Sequence, residues 1–156
     1  MSNKIILVSL VFILLTFINS SAQDKNFGAG IVLGEPTGLS GKYWISEDNA
    51  FDAALAYSFL EDNKSFSFHA DYLYHLYGVI DRYYKMPLYY GFGVRFRVRE
   101  NKDNSFGVRG VMGLLVYLKE APVDVFFEAA PVFRLLPDTN IDFDIAIGAR
   151  YFFDNL

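Results

Sequence analysis

From Leu88 onward the stretch PLYYGFGVRFRVRE, residues 87 to 100, is apolar at every second position: Leu88, Tyr90, Phe92, Val94, Phe96 and Val98. The positions between them run into Arg95, Arg97 and Arg99. A period of two describes a strand with two unlike faces. The same alternation recurs along the chain and predicts eight strands, over residues 27–34, 39–45, 50–59, 66–76, 88–98, 106–118, 123–134 and 141–153. Clusters such as Glu35-Pro36-Thr37-Gly38, Glu61-Asp62-Asn63-Lys64 and Pro137-Asp138-Thr139-Asn140 separate them, and these are turn-forming residues. One connection, from about Tyr77 to Met86, is longer and poorer in such residues.

Sorting each strand by parity separates two surfaces. One carries Phe51, Leu55, Tyr57, Phe66, Phe68, Tyr72, Tyr74, the Leu88–Val98 row, Val123, Val125, Phe127, Phe133, Ile141, Phe143, Ile145, Ile147, Tyr151 and Phe153, and no charge. The other carries Lys42, Asp52, His69, Asp71, Arg95, Arg97, Arg99, Arg109, Asp124, Glu128, Arg134, Asp142, Asp144 and Arg150, interspersed with Gly28, Gly30, Ala54, Ala56, Gly91, Gly93, Gly113, Ala130, Ala146 and Gly148. Charge and small size share a face.

Volume chooses between the two ways of closing such a sheet. An eight-stranded barrel has an interior just wide enough to be filled by side chains. The aromatic face would overfill it, whereas the small and charged face fits, provided opposite charges pair. The near-balance of sign among Lys42, Asp52, His69, Asp71, Arg95, Arg97, Arg109, Glu128, Asp142, Asp144 and Arg150 suits such an internal ion-pair network. The expected fold is therefore all-β, an eight-stranded antiparallel up-and-down barrel whose greasy outside faces lipid. Strands of 8 to 13 residues suit that reading, because a tilted membrane strand needs about 9 to 11. Aromatics near the two rims, Tyr57, Phe59, Phe66 and Phe68 at one and Tyr74, Tyr90, Tyr151 and Phe153 at the other, would sit at the interfaces. The residues also leave open a two-sheet sandwich or a soluble lipocalin-like barrel, whose interior would instead be the aromatic face.

The first 22 residues change the picture of where the chain goes. Lys4 is their only charge, Ile5 to Ile18 is interrupted only by Ser9 and Thr16, and Ser20-Ser21-Ala22 ends the run with small residues. This is the pattern of a cleaved secretory signal, and the run is too short for a spanning helix. The expected organisation is a signal peptide over 1–22 and a transmembrane β-barrel over 23–156. A net charge of −4 with no basic run gives no reason to expect nucleic acid as a partner. The chain has no cysteine, hence no disulfide and no thiolate chemistry.

Eight alternating strands behind such a leader, ending in IDFDIAIGARYFF, resemble the small OmpA/OmpX-type outer-membrane barrels of Gram-negative bacteria. Residues 30 to 59, GIVLGEPTGLSGKYWISEDNAFDAALAYSF, also resemble the opening hairpins of an uncharacterised family of such barrels. The resemblance implies residence in the outer membrane, with lipid and the barrel-assembly machinery as partners. It also implies an assembly signal in the last strand, carried here by Ile147, Tyr151 and Phe153. The chain departs from that pattern in the Asp154-Asn155-Leu156 tail and in its short outer loops.

Candidate chemistry is sparse. Ser67, His69 and Asp71 share a face of the fourth strand and invite a lipid A-modifying hydrolase or acyltransferase. Alternate strand residues, however, are about 6.6 to 7 Å apart along the chain, too far for a hydrogen-bonded relay without help from a neighbouring strand. His69 and His75 with Asp71 between them offer too few ligands, so neither a metal nor a cofactor is expected. The Arg95, Arg97, Arg99 row is also what lines an anion pathway in a porin-like pore, but a side-chain-filled lumen favours ion pairing. The reading that emerges is an envelope barrel with a structural role and no enzymatic activity. A lipid-modifying enzyme and a soluble periplasmic binding barrel remain the alternatives.

Overall fold

The computed structural model describes residues 26–35, 37–58, 65–80, 86–99 and 103–153. Eight strands follow in chain order: β1 (Phe27–Glu35), β2 (Thr37–Trp44), β3 (Asn49–Ser58), β4 (Ser65–Leu76), β5 (Leu88–Arg99), β6 (Ser105–Tyr117), β7 (Val123–Leu136) and β8 (Asn140–Phe152). Each pairs antiparallel with the next. β1 then pairs with β8, from Gly28 opposite Phe152 to Glu35 opposite Ile145, and closes the barrel. The two-sheet sandwich is thereby replaced by a single closed sheet, which leaves no unpaired edge. The leader over 1–22 and Phe59 lie outside the described residues.

Strand ends fall within two residues of those expected. β2 begins early because the β1–β2 reversal is tight. The Thr37 hydroxyl donates to the Gly34 carbonyl at 2.8 Å and accepts from the Gly34 amide at 3.2 Å. Gly34 has φ +144°, where a side chain is strained. β7 carries Pro131, which cannot donate to the ladder. Its neighbour β6 shows the consequence, since Arg109 pairs with Val132 and the next partner pair is Met112 with Ala129. Connections at the end holding both termini span 45–48, 77–87 and 118–122; those at the other end span 36, 59–64, 100–104 and 137–139. The longest is at the terminal end, as the turn pattern suggests.

The faces are arranged inside out. Phe143 is 69% exposed, Leu39 64%, Phe92 61% and Met112 61%, whereas Arg95, Arg109, Arg150 and Lys42 are 2% exposed or less. Stacked rings mark the terminal rim of the outer face: Tyr74 on Tyr90 with centroids 5.5 Å apart, and Phe27 on Phe153 at 6.3 Å.

One expectation about the inner face needs correction. It does not hold only charged and small residues. Leu73, Tyr89, Leu115, Phe126 and Phe152 also point inward and are buried, forming an apolar plug towards the terminal end. Glycine makes room for them. Tyr89 faces Gly113, Phe126 faces Gly148 and Phe152 faces Gly28 as direct cross-strand partners. A Cβ on Gly113 would land in the Tyr89 ring, one on Gly148 in the Phe126 ring, and one on Gly28 would come within 2.7 Å of Phe152. Each glycine is thus the floor on which an aromatic ring lies.

Candidate functional site

The lumen is where the chain concentrates its chemistry. Antiparallel register lines up Lys42, Asp52, Asp71, Gly93 and Arg109 as successive cross-strand partners from β2 to β6. Asp52 and Asp71 are therefore directly opposite each other on β3 and β4, an arrangement that costs stability unless each is neutralised. Neutralisation comes from across the barrel. Arg150, on β8, pairs with Asp52 and donates from Nε to Asp124 Oδ1 at 3.0 Å. Its guanidinium lies 4.1 Å from the centre of the Phe126 ring. Arg109, on β6, places Nε 3.2 Å from Asp71 Oδ1 and Nη2 2.5 Å from Glu128 Oε1.

The end opposite the termini is richer in arginine. Arg95 bridges Asp142 and Asp144, with Nη1 2.7 Å from Asp144 Oδ1. Arg97 Nη2 approaches the same oxygen at 3.7 Å, and Arg109 Nη1 reaches Asp144 Oδ2 at 3.6 Å. Arg134 lies 3.4 Å from Asp138 and 4.0 Å from Asp142. A guanidinium serves these positions because its fork meets two carboxylates at once and keeps its charge when buried.

Two expected members behave differently. Lys42 lies opposite Asp52 in register but makes no carboxylate ion pair among the described residues, because Arg150 occupies Asp52. Instead its Nζ sits 2.8 Å from His75 Nε2 and 4.2 Å from the centre of the Trp44 ring. His75 Nδ1–H donates to the Asp48 carbonyl at 3.0 Å, which leaves Nε2 to accept from the ammonium. This lysine-in-aromatics arrangement, completed by Tyr89, closes the terminal end of the lumen. Parity sorting does not find it, since it assigns Trp44 and Tyr89 to neither face, and His75 is weighed only beside His69 and Asp71 as a metal cluster.

His69 is the other. Its Nε2 is 3.8 Å from Asp71 Oδ2, too long for a hydrogen bond, and its Nδ1 has no hydrogen-bond partner. The Ser67 hydroxyl, 98% buried, also lacks one, so Ser67, His69 and Asp71 do not form a nucleophile relay in this arrangement. What the fold does bring to His69 is Glu128 from β7. Ligand-capable atoms of His69, Asp71 and Glu128 all lie within 4.8 Å of one another. A small cavity beside them is lined by Asp52, His69, Arg109, Glu128 and Asp144. Spacing on β4 could not reveal this cluster, because its third member is 57 positions further along the chain.

Among the residues expected to carry an assembly signal, Ile147, Tyr151 and Phe153 all stand on the outer face, about half exposed, while Phe152 between them turns inward.

A closed eight-stranded antiparallel barrel, apolar outside and ion-paired within, is the fold of the small outer-membrane barrels that the sequence resembles. Two solved structures share it. The N-terminal β-barrel domain of Pseudomonas aeruginosa OprF superposes with a TM-score of 0.56 at 13% identity, over 82% of this chain and 96% of that domain. Neisserial surface protein A (NspA) gives 0.55 at 15% identity, over 85% of this chain and all of that one. No protein-family model matches the sequence, and neither does a curated protein. At these identities the likeness is one of fold.

Proposed function

We propose that the protein is an integral barrel of the bacterial outer membrane, exported by its leader, with a structural role in the envelope and a lumen closed by its own side chains. The observation that carries this reading is the inverted partition of residues. Among the described side chains, the outward positions of the eight strands are uncharged, with bulky members such as Phe143 and Phe92 more than 60% exposed, while arginines and carboxylates fill the centre. Water would leave that outer surface unsatisfied, since soluble monomers rarely expose apolar patches beyond a few hundred Å². Acyl chains satisfy it. Lipid is thus the first partner, and the exposed row Ile147, Tyr151 and Phe153 on the final strand is what the assembly machinery would read.

The lumen supports a non-conducting reading, because Arg95, Arg109, Arg150 and Tyr89 each project inward and are at least 98% buried. The test is direct. Membranes expressing the full chain are washed with carbonate and run on a detergent gel with and without boiling. Retention in the pellet, a heat-dependent change of mobility and a mature N-terminus at Gln23 are the expected results. Release into the carbonate supernatant would overturn the assignment.

A further inference from the structure

Deep in the barrel, charge does not balance on its own. Four buried carboxylates, Asp52, Asp71, Asp124 and Glu128, are contacted by two guanidiniums, Arg109 and Arg150, and of these Asp52, Glu128 and Arg109 line the cavity. Asp142 and Asp144 are paired mainly with Arg95 and Arg97 nearer the other end, although Asp144 also lines the cavity 3.6 Å from Arg109 Nη1. Lys42 is turned away to His75 and forms no carboxylate pair. Once the Lys42 ammonium is counted, the inner group is at most one positive charge short, in surroundings where an uncompensated ion is costly.

Geometry marks where the missing charge would sit. His69, Asp71 and Glu128 are all buried, with candidate ligand atoms within 4.8 Å of one another. Two of the three are underused: neither Asp71 oxygen has a hydrogen bond, Oδ2 lies 3.8 Å from His69 Nε2, and the imidazole's other nitrogen is buried without a hydrogen bond as well. Both Glu128 oxygens are hydrogen-bonded in the manner of an outer shell, while Asp71 Oδ1 has only an ion contact with Arg109. Arg109 is at Asp71 Oδ1 and Glu128 Oε1, and the Tyr89 hydroxyl donates to Glu128 Oε2 at 3.0 Å. Hydrogen bonds to ligating carboxylates orient them and are a regular part of metal sites. His69 itself lines the cavity and is 8% exposed.

We infer that the lumen holds a divalent transition-metal site built from His69, Asp71 and Glu128. One imidazole and two carboxylates suit zinc-like ions, with bonds of about 2.0 to 2.2 Å, better than calcium or magnesium, which take oxygen ligands. A tetrahedral set at those lengths needs ligand atoms about 3.3 Å apart, so the three side chains draw in by rotation. The surplus of carboxylates over guanidiniums favours a cation here even beside Arg109. The inference depends on the closed barrel alone and stands whether or not the envelope role is correct.

The full mature chain, untagged and folded in detergent, is stripped with chelator, incubated with zinc alone, desalted and assayed for metal. The expected result is about one zinc per chain, with a rise in the urea midpoint at saturating zinc. The chain has only two histidines, so His75→Ala is the control and retains zinc. His69→Ala and Glu128→Gln lose it while keeping the heat-dependent gel mobility of the folded barrel. If His69→Ala does not fold, Glu128→Gln and the wild-type midpoint carry the test. Wild type with under about a tenth of a zinc per chain, a midpoint unmoved by zinc, or undiminished zinc in the folded variants would overturn the inference.

Discussion

Arg109 is the residue whose loss should reveal most about how the lumen is held. It is 1% exposed and lies between two carboxylates from opposite walls, Asp71 on β4 and Glu128 on β7, with a third, Asp144, at 3.6 Å. Asp144 keeps Arg95 when Arg109 is removed; Asp71 and Glu128 keep no directly paired guanidinium among the described residues. Arg109→Met preserves most of the stem volume and leaves two buried carboxylates without their guanidinium. Breaking one buried pair in this way costs about 3 to 5 kcal/mol, so the expected destabilisation lies at or above the upper end of that range. Converting the carboxylates as well, in Arg109→Met with Asp71→Asn and Glu128→Gln, removes the orphaned charges and should bring stability back to within about 1 to 2 kcal/mol of wild type, because neutral replacements of whole buried ion clusters are often tolerated.

The protein supplies its own probe for this cycle. Trp44 is the only tryptophan and packs 4.2 Å from the Lys42 ammonium at the terminal end of the lumen. Urea titrations into vesicles, followed by Trp44 emission and by gel mobility with chelator present throughout, give the free energies of the wild type, the single variant and the triple variant. A cost below about 1 kcal/mol for Arg109→Met, or a triple variant no more stable than the single one, would refute the claim that paired charge rather than packing holds the mid-lumen.

Two further substitutions test the faces separately. Phe143→Arg, at the most exposed large apolar position of the outer face, should cost about 2 to 4 kcal/mol if the site lies near the bilayer midplane; equal stability of both forms in vesicles would deny that this surface meets lipid. Gly148→Val forces a side chain into the Phe126 ring and against the Ile31 carbonyl, and should cost about 1 to 3 kcal/mol by overpacking; a neutral Gly148→Val would show that the ring does not rest on the glycine.

Strand number, strand ends, closure and the side each charge faces were legible in the sequence because a period of two is a local property and every strand of this barrel obeys it. Partnership was less legible. Lys42 and Asp52 are neighbours by register, yet Asp52 is taken by Arg150, 98 residues away along the chain. Inward aromatics were also hidden, since Tyr89 and Phe126 belong to strands rich in outward rings, and only register shows that each has a glycine opposite. The His69, Asp71 and Glu128 cluster escaped for the same reason: spacing along one strand cannot report what the far wall contributes.

That pattern of misses has a physical origin in the Asp52–Asp71 pairing. Two carboxylates directly opposite on adjacent strands repel in any flat sheet, and no residue at their own level on β2 to β5 relieves both, since Lys42 is engaged with His75 and Gly93 has no side chain. Relief comes only when β6 and β8 curve round to present Arg109 and Arg150 from across the lumen. The charge network is therefore a consequence of closure and also favours it, because the open sheet would carry the repulsion without the compensation. Gly93 completes the logic: a Cβ there would strike the Asp71 carboxylate, so the small residue beside Asp71 keeps clear the space in which Arg109 must arrive. Charge and glycine share a face because the long side chains that cross the barrel need somewhere empty to cross.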